Sequence, residues 1–323
     1  MLRAVRFCLM IEGQEGVTWD HWVALAQTAE RLGFDALFRS DHYFSAKGVA
    51  GRGSTDAWTL LGALAARTDR IRLGTLVSPV TFRLPSLLAK SAATVDEISG
   101  GRVEIGMGAG WWTEEHTQFG FPFPPTRERF EMLEEQLQIV HGLLTEDRFS
   151  FHGAHYTLDA AEFLPKPVQR PRPPILLGGT TVGPWMQRLI GGSADEFNTV
   201  GGTPEQVSER FARARSGVDS AGRDQASLVT SFMTWCFVAP TDGAYMTMLE
   251  RSRALDPSAG SFDVYRTDIE ADCIVGTPER AAERLSEYAA AGVQRVMLNL
   301  PLYDDLSTLE LLAAEVFPKV DGG

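Results

Sequence analysis

The feature that narrows the fold most is a strand-then-helix alternation that recurs eight times along 323 residues. Short apolar runs at residues 5–11, 36–40, 71–76, 103–108, 175–177, 196–200, 228–238 and 296–300 predict strands, and helical signals separate them. Thr18 caps a helix that carries Trp22, Ala26, Ala29 and Leu32 on one face and stops at Gly33. A second amphipathic helix covers 56–68, and a third covers 84–99, with Pro85 in its first turn and Gly100-Gly101 beyond its end. Residues 126–144 present Phe130, Leu133, Leu137, Val140 and Leu144 as a stripe, and 183–190 is a short helix. Thr203 to Gln206 is a capping box with Pro204 at the first helical position, Thr277 caps a helix to 291, and a helix at 306–316 closes the chain.

Most units span about thirty residues, the length of a strand, a crossover helix and two loops, and eight such units close as a (β/α)8 TIM barrel of the α/β class. No linker divides the chain, so residues 1–323 are expected to be a single domain. Two units are longer. Residues 145–173, rich in proline, predict a hairpin and a stiff return after the fourth strand, and residues 240–276 form an insertion after the seventh strand that could serve as a lid. An open doubly wound sheet is the competing fold. Its dinucleotide fingerprint needs Gly-x-Gly-x-x-Gly after an early strand, whereas Gly106-Met107-Gly108-Ala109-Gly110 has a different spacing and lies a third of the way in.

A net charge of −12 disfavours nonspecific attraction to nucleic acid or anionic lipid, and no apolar stretch approaches membrane-spanning length. With no leader-like segment, a cytoplasmic protein acting on a small molecule is the expectation. Cys8, Cys236 and Cys273 are odd in number and far apart, which argues against a disulfide framework or a zinc site. His152 and His155 lie in a stretch that alternates like a strand or hairpin, with no second ligand pair, so a structural role is expected and no metal.

In a barrel of parallel strands, catalytic groups gather at the C-terminal strand ends. Those ends offer Glu12; Ser40, Asp41 and His42; Val77-Ser78-Pro79; Ala109-Gly110-Trp111-Trp112 with Glu114, Glu115 and His116; and Gly178-Gly179-Thr180-Thr181 before a helix start. A carboxylate beside an imidazole at Asp41-His42 is a candidate proton-transfer pair, though a loop histidine on a solvated rim is the plainer alternative. Free amides and hydroxyls at the fifth strand's turn suit a phosphate, though glycine is common at such turns without any ligand.

Taken in order, Leu32-Gly33-Phe34-Asp35 before Ser40-Asp41-His42, then Arg72-Leu73-Gly74-Thr75, Ile98-Ser99-Gly100-Gly101-Arg102, Gly108-Ala109-Gly110-Trp111, Pro165-Lys166-Pro167-Val168-Gln169 and Gly178-Gly179 resemble the luciferase-like flavin and deazaflavin oxidoreductases over nearly the whole chain. The resemblance implies a barrel holding a flavin-type ring in its mouth, usually as a homodimer packed through barrel helices. It implies a bulge at Leu76-Val77, often with a non-proline cis peptide, behind the ring. Flavin mononucleotide (FMN) members related to luciferase tend to carry Glu-His-His at the end of the second strand, whereas Ser40-Asp41-His42 is similar to the branch that uses coenzyme F420, a deazaflavin. By that match Asp41 would contact the cofactor's polar edge or fix the neighbouring imidazole, and His42 would take or give the proton that accompanies hydride transfer. Val77, Ser78, Ala109, Gly110 and Glu114 match ring-lining positions, and Gly178, Gly179, Thr180, Thr181 and Val182 match the phosphate turn.

There are departures. The sugar-phosphate dehydrogenases of that branch place a tryptophan four residues beyond the histidine and a glutamate after the Gly-x-Gly turn, where this chain has Ala46 and Trp111. Trp111, Trp112, Phe44, Trp58, Phe119 and Trp235 suggest instead an apolar substrate cavity, although such aromatics also serve as core. Three classes remain: an F420-dependent oxidoreductase, a monooxygenase using reduced FMN and oxygen, and a cofactor-binding barrel without turnover.

Overall fold

Eight parallel strands pair in chain order and close on themselves: Arg6–Ile11, Ala36–Arg39, Arg72–Thr75, Val103–Gly108, Ile175–Gly178, Glu196–Val200, Val229–Val238 and Arg295–Asn299. The seventh strand pairs with both the sixth and the eighth, and the eighth with the first, which completes the ring. This is the expected (β/α)8 barrel, in a computed structural model that describes residues 5–321. The outermost residues of the expected 1–323 domain lie outside the described residues. Both faces of most strands are buried, as parallel strands sandwiched between lumen and helices require, so they read as nearly unbroken apolar runs.

The helices start where the capping residues put them. The Thr18 hydroxyl accepts from the His21 amide, Asp56 accepts from the Thr59 amide, and Thr203 with Gln206 forms the full reciprocal box. The second helix is shorter than its pattern predicts, ending at Ala65 rather than Thr68. Arg102 accounts for the stop: its guanidinium donates to the Ala65 carbonyl at the helix end and to the Thr68 and Ile71 carbonyls of the loop beyond it, at 2.7–2.8 Å. The last helix continues beyond its expected end at 316 through a wide π-type turn, Leu312–Val316, into Phe317–Asp321.

The lumen is filled in two ways. Met10, Phe38, Leu176 and Met297 form an apolar layer with Cys8, against which Leu76 and Val77 pack from above. Nearer the N-terminal strand ends, Arg295 of the eighth strand reaches Glu104 of the fourth at 2.8 Å and Glu196 of the sixth at 2.5 Å, and also meets Asp35 at 2.9 Å. Strands four and eight lie on opposite sides of the ring, so these bonds cross the barrel interior. Burial alone would raise the Glu104 carboxyl, but Arg295 and Arg72 overcome it and hold it down to about 2. Burial prevails at Glu196, whose carboxyl is pushed up.

Both long units take definite form. Arg148–His152 and Thr157–Glu162 pair antiparallel as the expected hairpin, where His155 faces Glu131 at 3.6 Å. No cluster of metal-ligating side chains exists among the described residues, and the three cysteines are buried and unpaired. The insertion after the seventh strand folds as two helices, Asp242–Ala254 and Phe262–Asp272, followed by a short strand, Ile274–Gly276, paired beside Cys236–Val238. It has a small core of its own around Tyr245, Leu249 and Ile269, and it touches the loop after the second strand through Arg52, which donates to the Leu255 carbonyl at 2.9 Å. No helix among the described residues is long and apolar enough to cross a membrane.

Candidate active site

The site is built from the loop that follows the second strand. Arg39, fully buried at that strand's end, turns back to donate to the Ser40 carbonyl at 2.7 Å and to the Thr55 and Ser54 hydroxyls, while Ser54 donates to the His42 carbonyl at 2.6 Å. One buried guanidinium thus fixes both ends of the loop that carries Ser40, Asp41 and His42. Ser40 closes the assembly toward the first strand, accepting from the Gly13 amide and donating to Gln14.

Next to it, the third strand breaks into a bulge. Gly74 lies opposite Glu104 and Ser78 opposite Met107, so four steps on one chain face three on the other. The extra residue falls at Leu76-Val77, which is joined by a cis peptide bond, the feature the resemblance implied. Val77 projects toward glycines of the neighbouring strands. A Cβ placed on Gly108 would sit 2.7 Å from Val77 Cγ2, and one on Gly178 would sit 3.1 Å from Val77 Cγ1. A side chain at Gly108 would collide with Val77, and one at Gly178 would need Val77 to give way by a few tenths of an ångström.

Asp41 and His42 have separate partners. The Asp41 carboxylate is buried and takes two bonds from Arg83, at 2.5 and 3.2 Å, and one from the Ser78 hydroxyl at 2.6 Å. Trp58 Nε1 donates in turn to Ser78 at 3.1 Å. Asp41 therefore braces the bulge, and the Ser78 hydroxyl points into that brace. The carboxylate that fixes the imidazole is Glu115, not Asp41: His42 Nδ1 donates to Glu115 Oε2 at 2.8 Å, and the Tyr43 amide donates to Glu115 Oε1 at 2.5 Å. A carboxylate only accepts, so a proton sits on Nδ1, and Nε2 is the nitrogen left without a partner among the described residues. Burial opposes the charged imidazole, but the hydrogen bond and charge of Glu115, with Glu12 and Asp41 adding to it, raise the His42 pKa above its ordinary value.

Glu115 lies in a helix of its own, Thr113–Phe119, which the strand-and-helix pattern does not predict. Glu115 and His116 are buried while Glu114 faces solvent, so of the two adjacent carboxylates it is the other one that enters the site. A signal was present: Trp112, Glu115, His116 and Phe119 fall at i, i+3, i+4 and i+7, the spacing of one helix face. His116 is tied up between the Thr81 hydroxyl and the Trp112 carbonyl, and burial keeps it below its ordinary pKa. Glu12 is half-buried and accepts from Gln14 at 2.8 Å and from Asn299 of the eighth strand at 3.2 Å.

Over the imidazole stands an aromatic wall. Trp111 and Trp112 stack at 5.6 Å, both present edges to His42 at 5.7–5.9 Å, and Phe44 stacks on Trp112 at 4.4 Å. Trp111 is 65% exposed, a large apolar face turned to solvent beside a titratable group. Ala109 and Gly110 lie half-buried beneath it. At the fifth strand Gly178 and Gly179 lead to exposed Thr180 and Thr181 and buried Val182, just ahead of the helix Pro184–Ser193. The residues present suit a flat ring against Val77 and an anion at this turn, where the Thr180 and Thr181 hydroxyls stand just ahead of a helix start.

A family model described as luciferase-like monooxygenase matches residues 5–295. Over 315 residues the chain is 31% identical to an F420-dependent glucose-6-phosphate dehydrogenase of Nakamurella multipartita, covering 92% of this chain and 91% of that protein. It is also 28% identical over 309 residues to an FMNH2-dependent dimethylsulfone monooxygenase of Pseudomonas putida, covering 88% of this chain and 84% of the other. A solved F420-dependent secondary alcohol dehydrogenase in complex with an F420-acetone adduct shares the fold at a TM-score of 0.82 and 22% identity, covering 98% of this chain and 99% of that one.

Proposed function

The chain belongs to the luciferase-like monooxygenase family, and from that premise we propose that it is a single-domain, F420-dependent oxidoreductase acting on a small apolar or aromatic substrate, with His42 as proton donor or acceptor. When bound, the deazaflavin supplies hydride chemistry. The chain's own part is to seat a ring on the Leu76-Val77 bulge, to hold an anionic group at Gly178 to Val182, and to move one proton at His42 Nε2.

The observation that carries the proposal is the His42–Glu115 pair. An imidazole whose Nδ1 is fixed by a buried carboxylate keeps one tautomer and one orientation, and the charge of Glu115 favours its protonated form. Asp41 acts as a positioning residue: by holding Ser78 and Arg83 it keeps the bulge and the histidine loop together. Trp111 and Trp112 supply an apolar wall for the substrate, which together with Ala46 argues against the sugar phosphate named for the Nakamurella relative. We further read the protein as a cytoplasmic homodimer packed through barrel helices.

The relative that oxygenates dimethylsulfone supports a second possibility, a monooxygenase using reduced FMN and oxygen. Titrating the purified protein with oxidised F420 and with FMN, by fluorescence and calorimetry, separates the two. Preference for F420 with no oxygen uptake is the expected result; tighter binding of FMN and oxygen consumption with reduced flavin would overturn it.

A further inference from the structure

The proton transfer proposed at His42 makes no use of a second histidine on the same side of the mouth. His116 is buried, and each of its ring nitrogens has one partner: Nδ1 meets the Trp112 carbonyl at 2.7 Å, and Nε2 meets the Thr81 hydroxyl at 2.6 Å. A carbonyl only accepts, so Nδ1 carries a proton. Burial holds the ring below its ordinary pKa, so Nε2 is bare and accepts from Thr81. Donation therefore runs one way, from the Thr81 hydroxyl through the imidazole to the Trp112 carbonyl. Phe82 at 5.0 Å and Phe123 at 4.3 Å pack around the ring, and Arg129 lies over Phe123 at 3.9 Å. The charged and titratable groups that face His116 are Glu115 on its own helix, Arg129 on the helix Thr126–Thr145, and His42.

These two bonds join separate parts of the mouth. Thr81 follows the Leu76-Val77 bulge and stands two residues before Arg83, which holds Asp41. Trp112 caps the helix Thr113–Phe119, whose first turn carries Glu115. A Cβ on Gly110 would sit 3.5 Å from Thr81 Oγ1 and 3.8 Å from His116 Cε1, so the pair also backs the turn that leads into the aromatic wall. A seven-residue helix has little stability of its own, so its anchors set its orientation. A displacement of about 1 Å would carry the 2.8 Å bond between Glu115 and His42 past hydrogen-bonding reach. Resting on the function proposed above, we propose that His116 is a positioning residue: tied to Thr81 and Trp112, it fixes the short helix so that Glu115 meets His42 Nδ1. Being neutral, it exerts no charge of its own on His42, so any influence it has there passes through the position of Glu115.

The test is an NMR titration of the His42 ring protons in the full-length protein without added cofactor, with a melting temperature for each variant. Thr81→Val keeps the shape of the side chain and removes the hydroxyl, while His116→Phe keeps a ring between Phe82 and Phe123 and removes both bonds. Each should move the His42 titration toward acid by about half a unit or more. Thr81→Ser, which retains the hydroxyl, should titrate as wild type. Should His116→Phe fail to fold, Thr81→Val decides alone. A lower melting temperature with a His42 titration superimposable on wild type, or shifted toward base, would overturn the positioning role and leave the pair merely structural. A shift in Thr81→Ser as large as that in Thr81→Val would overturn it too, since the hydroxyl would then not be the group that matters. Because the titration is read without cofactor, failure of the protein to bind F420 would bring down the assigned activity and leave this result standing.

Discussion

Replacing Glu115 with glutamine separates tuning of His42 from mere shape. The substitution keeps size and a hydrogen-bond acceptor but removes the charge that His42 Nδ1 and the Tyr43 amide share. In the native site burial pulls the imidazole pKa down and Glu115 pulls it up, with the second effect prevailing. Without the charge, burial acts with little opposition. A hydrogen bond to a charged group is worth about 1.5–3 kcal/mol, equivalent to about 1–2 pKa units. The corresponding limb of the pH–rate profile should therefore move about 1–2 units toward acid in Glu115→Gln. Stability follows the same linkage. A histidine whose folded pKa lies above its ordinary 6.5 stabilises the fold fully below that value and loses the contribution as pH rises through the folded pKa. The stability deficit of the variant relative to wild type should thus be larger below about pH 6.5 than in base. The assays are kcat/KM against pH and an NMR titration of the His42 ring protons. Superimposable titrations in the two proteins would refute a tuning role for Glu115.

His42→Ala should lower turnover by about 10²–10⁴-fold while leaving cofactor affinity within a few fold, measured by steady-state kinetics and fluorescence titration; unchanged turnover would remove His42 from the chemistry. Gly178→Val should push Val77 from its seat and weaken cofactor binding by about tenfold or more, whereas Gly183→Ala, with no atom within 4 Å of the added Cβ, serves as a neutral control. In the lumen, Glu104→Gln should cost about 3–5 kcal/mol in urea unfolding at neutral pH, because Arg295 loses a buried partner. Since Glu104 is held down to about 2 from 4.5, its contribution is present above about pH 4.5 and drains as pH falls toward 2, so the penalty of the variant should shrink across that window.

The barrel was legible in the sequence because its signals are local. A strand buried on both faces is an apolar run whatever lies beside it, and Thr18, Asp56 and Thr203 announce helix starts within four residues of themselves. The hairpin at Arg148–His152 was visible for the same reason, through its alternation. Arg102 shows where this stops: it ends a helix 37 residues earlier by donating to the Ala65 carbonyl, and nothing near Ala65 in the sequence says so.

The site was legible in its positions but not in its pairings. His42 meets Glu115 across 73 residues and Asp41 meets Arg83 across 42, distances over which no spacing rule operates. Adjacency along the chain suggested that Asp41 serves His42, yet consecutive residues leaving a strand end point in different directions. Here one carboxylate turns down toward the bulge at Ser78 while the imidazole turns toward the fourth unit. That division has a chemical consequence. A carboxylate already holding a guanidinium and a hydroxyl has few lone pairs to spare, so under the proposed function its charge acts through the geometry of the bulge it holds. The histidine, with a different carboxylate behind it, can change protonation state without disturbing that geometry. Separating the group that holds the platform from the group that tunes the proton lets each be altered alone, and for that reason Glu115→Gln should move the pH profile while leaving ring binding in place.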